Sequence, residues 1–271
     1  MLKKIILPAV ICLVSIFSVS AQVSEANTLE KMIGKVQNGY NFWLYTPEDV
    51  TSEEGKPLVI FLHGRSLCGT DLNKVRRYGT ISAIEKGRKL DAYVIAPQNP
   101  GESWKPEKIM NIVDYVSENC NIDQNRIYVL GMSLGGYGTI DLAATYPERI
   151  AAAIGMCGGA TVKDLSGLAS LPLWIIHGTG DRSVSVSASD KVAEAVEDWQ
   201  IDGINRLHYD RVPGMNHSTP ARVFYRQDVY DWLFSHSLED DAREINPTIE
   251  INDDFFGNAY KGLDHSKGYR K

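Results

Sequence analysis

Residues 126–136 read RIYVLGMSLGG and place a serine between glycines directly after a run of apolar residues. The apolar run predicts a buried strand, and residues 134–146 predict a helix that ends at Pro147. Such a sharp strand-to-helix turn forces its serine into strained backbone geometry, which the small flanking residues tolerate. The turn lifts the Ser133 hydroxyl clear of the sheet and aims the N–H of Leu134 at the same point. Ser133 is therefore a candidate nucleophile.

Two later segments supply a candidate acid and a candidate base. The apolar residues 171–176 predict a strand, and Asp181 follows in the loop behind it. Residues 205–212 predict another strand, which leads into His217. A serine nucleophile needs a base to take its proton and a carboxylate to orient that base. We therefore predict that Ser133, Asp181 and His217 act together.

A fourth element lies upstream, where a strand predicted over residues 57–62 runs into His63, Gly64 and Arg65. A glycine lets the backbone turn over the site and present an N–H, so the main chain of Arg65 is expected to donate to an oxyanion together with Leu134. His63 precedes the serine in the chain, which favours a packing role. We assign no chemistry to the remaining histidines of the folded chain: His177, His208, His236 and His265.

These motifs resemble those of α/β-hydrolases, most of all secreted esterases of the feruloyl esterase and polyhydroxyalkanoate depolymerase type. The order serine, acid, base along the chain is that of this superfamily. The matching landmarks are FLHG at 61–64, APQ at 96–98, SW at 103–104, RIYVLGMSLGG at 126–136, HG at 177–178 with Asp181, and Gly214 with His217. The step from His177 to Asp181 also resembles acyl-protein thioesterases. Arg65 departs from the pattern, because many relatives have a small residue there, and it places a cation at the pocket rim.

The resemblance implies an α/β-hydrolase fold, with a mostly parallel, doubly wound sheet flanked by helices. Strand patterns at 40–45 and 92–96 agree with it, and we expect the earlier strand to be antiparallel. Helices are predicted at 105–119, 188–199 and 221–234. No segment between strands is long enough for a large lid, so the site is expected to be open.

The N-terminus carries the pattern of a cleavable signal peptide. Met1 and two lysines precede an apolar stretch over residues 5–19, and a small-x-small site ends at Ala21. The stretch is short for a membrane span. We therefore predict a signal peptide at 1–21, a secreted or periplasmic enzyme, and no stable membrane anchor.

The catalytic domain is predicted to occupy residues 22–239. Beyond it, residues 240–271 begin with a dense acidic run and show little apolar periodicity. This composition predicts a polar C-terminal tail that lies on the surface or is partly disordered. Deleting the tail is expected to leave folding intact.

Composition fits a single domain with one large core and argues against nucleic acid as a partner. The chain has 271 residues, 44% of them hydrophobic, and a net charge of −6 from 28 cations and 34 anions. Removing residues 1–21 takes away two lysines and changes the balance to −8 (26 − 34). A chain this acidic does not attract a polyanion. The basic cluster of Lys74, Arg76 and Arg77 is interpreted as a solvated helix face.

Three cysteines would remain after signal cleavage: Cys68, Cys120 and Cys157. Cys68 and Cys157 are both expected at the catalytic edge of the sheet. Two alternatives remain: a disulfide between these two cysteines, or two free thiols. No group of cysteines and histidines has the spacing of metal ligands, so neither a metal nor a cofactor is expected.

The sequence predicts a serine hydrolase that cleaves carboxylic esters through an acyl-enzyme. A peptidase or a thioesterase on the same fold remains open, as does a secreted binding protein without catalysis. Trp104 follows a predicted strand on the same side as Ser133. It would either cap the next helix or line the pocket, and a flat aromatic wall there would favour feruloyl or acetyl esters of polysaccharides.

Overall fold

The computed structural model describes residues 28–51, 53–199, 202–245 and 249–268. In this part of the chain eight strands form one sheet. The strands are β1 (Thr28–Met32), β2 (Phe42–Thr46), β3 (Lys56–Leu62), β4 (Tyr93–Pro97), β5 (Ile122–Met132), β6 (Ala152–Met156), β7 (Leu173–Gly178) and β8 (Leu207–Val212). Their order across the sheet is β1-β2-β4-β3-β5-β6-β7-β8. The predicted signal peptide, residues 1–21, lies outside the described residues.

Two antiparallel strands edge an otherwise parallel sheet. β1 pairs antiparallel with β2, and β2 with β4, while all neighbours from β4 to β8 are parallel. The predicted α/β-hydrolase architecture, including the early antiparallel strand, is confirmed. The sequence did not predict β1, because its residues are mostly polar and three of the five are half-buried rather than buried.

Helices cover both faces of the sheet. They are α1 (Thr80–Glu85), α2 (Pro106–Asn119), α3 (Leu134–Thr145), α4 (Ser187–Trp199), α5 (Gln227–Phe234) and α6 (Asp253–Gly257), with 3-10 turns at Arg65–Leu67, Leu72–Arg77, Ser166–Ser170 and Thr219–Tyr225. Among the described residues, no helix is both long and apolar enough to cross a membrane. The helix predicted over 221–234 is divided, because a 3-10 turn occupies its first part.

The core consists of two clusters on opposite faces of the sheet, and β3 contributes to both. Val59 and Phe61 pack with α1, α5 and the C-terminal segment. Leu58 and Ile60 pack with α2, α3 and α4. Successive side chains of a strand point to opposite faces, so this alternation follows from β geometry. A strand buried on both faces is continuously apolar, which is why the pattern of residues 57–62 was readable in the sequence.

The C-terminal segment differs from its predicted character as a polar surface tail. Ile245, Phe255, Phe256 and Leu263 are at most 9% exposed and belong to the core cluster that contains α5. The ring of Phe255 lies 6.5 Å from that of Trp174, which is in β7. These apolar residues are separated by polar ones in a segment whose only described helix has five residues, so no periodicity revealed them. The boundary at residue 239 stays a prediction.

Candidate active site

Ser133 lies at the sharp turn between β5 and α3. Its backbone has φ 60° and ψ −123°, a left-handed conformation that is strained for any residue with a Cβ. The turn is possible because Gly135 packs directly against the carboxyl end of the neighbouring strand β3. A Cβ on Gly135 would lie 1.9 Å from the carbonyl oxygen of Leu62. Glycine is needed at position 135 because any side chain there would keep α3 away from β3.

His217 and Asp181 complete a chain of hydrogen bonds from Ser133. The Nδ1 atom of His217 is 2.6 Å from Oδ2 of Asp181, and its Nε2 atom is 3.0 Å from Oγ of Ser133. A carboxylate only accepts, so Nδ1 carries the proton in the neutral ring and Nε2 accepts from the serine hydroxyl. The structure therefore brings all three predicted residues together, in the arrangement a general base requires.

Asp181 is held as an anion by its own loop. Its carboxyl group is inaccessible to solvent, and Oδ1 accepts hydrogen bonds from the N–H groups of Ser183 at 2.7 Å and Val184 at 2.9 Å. Burial raises the pKa of Asp181, but the bonds from Val184, His217 and Ser183 outweigh burial and lower it on balance. The acid is ionised at neutral pH, as an acid that only orients the base should be.

The loop after β3 passes over Ser133 and carries the predicted oxyanion donor. A Cβ on Gly64 would lie 3.4 Å from the Cβ of Ser133, and the Gly64 N–H donates to Oη of Tyr78 at 2.7 Å. A 3-10 turn begins at Arg65. Arg65 and Leu134 both line the cavity at Ser133. Both residues therefore border the space beside Ser133 in which an oxyanion would form.

His63 fixes the peptide that contains the Arg65 N–H. Its Nδ1 lies 2.8 Å from the Gly64 carbonyl oxygen, and its Nε2 accepts from the Asn99 N–H at 3.1 Å. In a trans peptide the C=O and the following N–H point in opposite directions. Holding the Gly64 carbonyl on one side therefore sets the direction of the Arg65 N–H. His63 therefore packs as predicted and, in addition, orients the peptide that contains the Arg65 N–H.

Acid should lower the stability of the folded protein, because His63 is harder to protonate in the folded chain than in the unfolded chain. Burial is the main cause that lowers the pKa of His63, to about 4, and burial also lowers the pKa values of His177 and His236. Between pH 6.5 and about 4 the unfolded chain binds a proton at His63 that the folded chain does not. Stability should fall across this window, with about 3 kcal/mol lost through His63 by pH 4.

Urea unfolding at pH 7 and at pH 4.5 measures this loss. In His63→Gln the side chain does not titrate, so its free energy of unfolding should change less between the two pH values than that of the wild type. Equal pH dependence in the two proteins would contradict the assignment to His63.

The cavity at Ser133 has a volume of about 690 Å³. Its wall is mainly aromatic and apolar: Tyr78, Tyr137, Met132, Leu134, Val184 and Ala221 contribute to it. Tyr137 is four residues after Ser133, and this i to i+4 spacing at the start of α3 was a signal available in the sequence. A larger cavity of about 870 Å³ lies between α5 and the C-terminal segment, away from the nucleophile and its base. We place the candidate site at Ser133 because the reactive groups are there.

Trp104 does not line this cavity, which corrects the prediction that it forms the pocket wall. It is 2% exposed, and its indole N–H donates to the carbonyl oxygen of His63 at 3.3 Å. The ring meets those of Tyr40 and His63 edge-on at 5.1 Å and packs against Gly138 in α3. Trp104 is a core residue beneath the oxyanion loop. Trp104 therefore offers no aromatic wall to an acyl group in the cavity.

Cys157 lies at the catalytic edge of the sheet as expected, but its contact with Asp181 was not predicted from the sequence. It follows β6, is fully buried, and its thiol hydrogen-bonds to the carboxylate of Asp181. Burial, followed by the charge of Asp181 and the hydrogen bond to it, raises the pKa of Cys157. The thiol therefore stays protonated and donates to the triad acid. Cys68, Cys120 and Cys157 are all free, so the structure has no disulfide between Cys68 and Cys157.

Within the part of the chain that the structure describes, one group of side chains is close enough together to hold a metal ion: Cys157, Asp181 and His217. Their ligand atoms lie within 4.8 Å of one another. The same atoms already form the bond between His217 and Asp181, so a metal ion would compete with the arrangement that activates Ser133.

Comparison with known proteins places these features in a family. Residues 101–236, half of the chain, match the model of the family described as phospholipase/carboxylesterase. The chain belongs to this α/β-hydrolase family. The matched region includes Ser133, Asp181 and His217, whereas β1 to β4 and the oxyanion loop precede it.

Individual relatives are a depolymerase and an esterase by name. Poly(3-hydroxyalkanoate) depolymerase C of Paucimonas lemoignei is 29% identical over 162 residues, which cover 53% of this chain and 37% of that protein. Acetylxylan esterase A of Emericella nidulans is 28% identical over 140 residues, covering 43% of this chain and 41% of that protein. The chain thus matches about two fifths of each relative's length. The crystal structure of a thermostable esterase aligns with a TM-score of 0.62 and 25% identity, covering 79% of this chain and 64% of that one.

Proposed function

We propose that the protein hydrolyses carboxylic esters through an acyl-enzyme formed on Ser133. One observation carries the proposal: the continuous hydrogen-bond chain from Asp181 through His217 to Ser133, located at the wall of an open cavity. Family membership and the names of the relatives support the ester as the bond that is cleaved.

The proposed reaction begins when Oγ of Ser133 attacks the ester carbonyl and His217 Nε2 takes the serine proton. Asp181 stabilises the imidazolium that forms, and the N–H groups of Leu134 and Arg65 bind the oxyanion. Collapse of the tetrahedral intermediate breaks the bond to the alcohol oxygen, which receives the proton from His217. Water then attacks the acyl-enzyme by the same sequence and releases the carboxylic acid.

The proposed substrates are small esters or esters linked to polysaccharides, with acetyl groups on carbohydrate as the leading class. The acetylxylan esterase relatives favour the acetyl group. The connection from β6 to β7 contains a single short 3-10 turn, Ser166–Ser170, so it adds no large cover over the site. An open site suits a polymer better than a sequestered small molecule.

A matched panel of substrates tests this function. We expect kcat/KM for 4-nitrophenyl acetate and acetylated xylan to exceed the values for acyl thioesters and peptide amides by at least tenfold. Methyl ferulate reports whether aromatic acyl groups are accepted. Preference for amides would favour a peptidase, preference for thioesters a thioesterase, and either would overturn the proposal.

We further propose export, on the basis of the signal-peptide pattern in residues 1–21. N-terminal sequencing of the protein from a fractionated culture should find a mature chain that starts at Gln22 outside the cytoplasm. An intact Met1 in cytoplasmic protein would contradict it.

A further inference from the structure

The permanently charged side chain that lines the Ser133 cavity is a cation, whereas the whole protein is an anion; the Asp181 carboxylate lies behind His217 and is not part of the lining. The chain carries a net charge of −6. None of the described residues that line this cavity is an aspartate or a glutamate, and Arg65 is the lining residue with a permanent charge. A cavity with this lining favours an anion over a cation of similar size.

Arg65 also lacks the carboxylate partner that several other arginines of the chain have. Five arginines form ion pairs with carboxylates: Arg76, Arg149, Arg206, Arg211 and Arg226. For the exposed side chain of Arg65, no carboxylate within the described ranges is at ion-pair distance. The guanidinium therefore has its donors available at the cavity rim.

The loop around Arg65 is fixed and carries a second cation. The Arg65 carbonyl oxygen accepts from the N–H of Cys68 at 3.1 Å, and Nζ of Lys74 donates to the Cys68 carbonyl oxygen at 3.1 Å. The backbone from which the Arg65 side chain extends is thus held in place beside another positive charge. The second positive charge adds to the attraction of this loop for an anion.

We propose that the ester cleaved at Ser133 carries a carboxylate, which the guanidinium of Arg65 binds at the rim. This proposal rests on the esterase function proposed above. A guanidinium offers two parallel N–H donors that match the two oxygens of a carboxylate. The carboxylate can belong to the acyl half, as in a half-ester of a dicarboxylic acid, or to the alcohol half, as in an esterified sugar acid or hydroxy acid.

Two pairs of substrates distinguish these sources. In the acyl pair, 4-nitrophenyl valerate is compared with 4-nitrophenyl hydrogen glutarate, where a carboxylate replaces the terminal methyl group. In the alcohol pair, 4-acetoxybenzamide is compared with 4-acetoxybenzoate. The measured quantity is the selectivity, defined as kcat/KM for the anionic ester divided by kcat/KM for its neutral partner. Both esters of a pair use the same backbone donors, so any disturbance of the Arg65 N–H cancels in this ratio.

Three variants provide the comparison. Arg65→Gln removes the charge and keeps the backbone N–H, and Arg65→Lys keeps the charge without the fork of donors. Arg77→Gln is the matched control, because Arg77 is exposed, lies on the next 3-10 turn and is not among the residues that line the cavity.

Arg65→Gln should lower the selectivity in one pair by about two- to fivefold, the range of an exposed charge pair. Arg65→Lys should retain part of it, and Arg77→Gln all of it. The pair that responds identifies which half of the substrate carries the carboxylate. Unchanged selectivity in both pairs, or an equal fall with Arg77→Gln, would overturn the proposal while the esterase function stands. Neutral esters cleaved equally well by Ser133→Ala would instead overturn the proposed function, and this proposal with it.

Discussion

Ser133→Ala is expected to lose esterase activity by a factor on the order of 10⁵ and to remain folded. The substitution removes the atom that forms the acyl-enzyme, and members of such a triad act as one unit. It also removes a hydroxyl group from a strained turn without changing the backbone atoms that pack there. The measurement is kcat/KM for 4-nitrophenyl acetate, together with the melting temperature of both proteins.

Labelling by a fluorophosphonate probe gives a second, independent measurement. The probe reacts with an activated serine, so labelling should disappear in Ser133→Ala. Ser185→Ala is the matched control, because Ser185 is exposed and its hydroxyl group bonds to that of Ser187 at 2.8 Å, outside the cavity. Full activity in Ser133→Ala would place the chemistry elsewhere. Absence of labelling in folded wild-type protein would instead favour a binding protein without catalysis.

Truncation after Glu239 should abolish stable folding, contrary to the expectation from composition. The truncated chain lacks Ile245, Phe255, Phe256 and Leu263, which are at most 9% exposed in the full chain. Burying each such side chain contributes about 1.5–3 kcal/mol, and the total is comparable with the 5–15 kcal/mol that stabilises a typical domain. We expect no cooperative unfolding transition, or precipitation during expression.

Single substitutions test how much each buried side chain of this segment contributes to stability. Phe255→Ala should cost about 3–5 kcal/mol in urea unfolding, because the Phe255 ring packs in the core and the Arg226 guanidinium lies 4.1 Å from its centre. A chain that ends at Lys267 keeps all four buried residues and should unfold like the full chain. A melting temperature for the chain that ends at Glu239 equal to that of the full chain would restore the interpretation as a surface tail.

The strands and the site were predictable because their signals are local. Parallel strands buried on both faces are continuous apolar runs, and Ser133 and Asp181 follow such runs at their carboxyl ends. His217 follows β8, a half-buried edge strand with polar residues, and it was selected by its place after the serine and the acid in the chain. The 3.0 Å and 2.6 Å bonds that join them are what the structure adds.

The misplaced features depend on contacts between distant residues. Trp104 has the same sequence context as a pocket residue, and only its packing on Gly138 and His63 makes it a core residue. Cys157 is adjacent to Asp181 because β6 and β7 are neighbours in the sheet, which a cysteine count does not reveal. Phe255 and Phe256 lack periodicity because a five-residue helix is too short to show any.

The burial of residues 245–263 also has a consequence for the order of events during synthesis. One face of the sheet packs against α1, α5 and this last segment, and its cluster includes Trp174 and Phe224. On the ribosome that face has no complete cover until residue 263 has left the exit tunnel. Earlier nascent chains expose aromatic side chains, so holdase chaperones have their longest opportunity to bind before the native core closes.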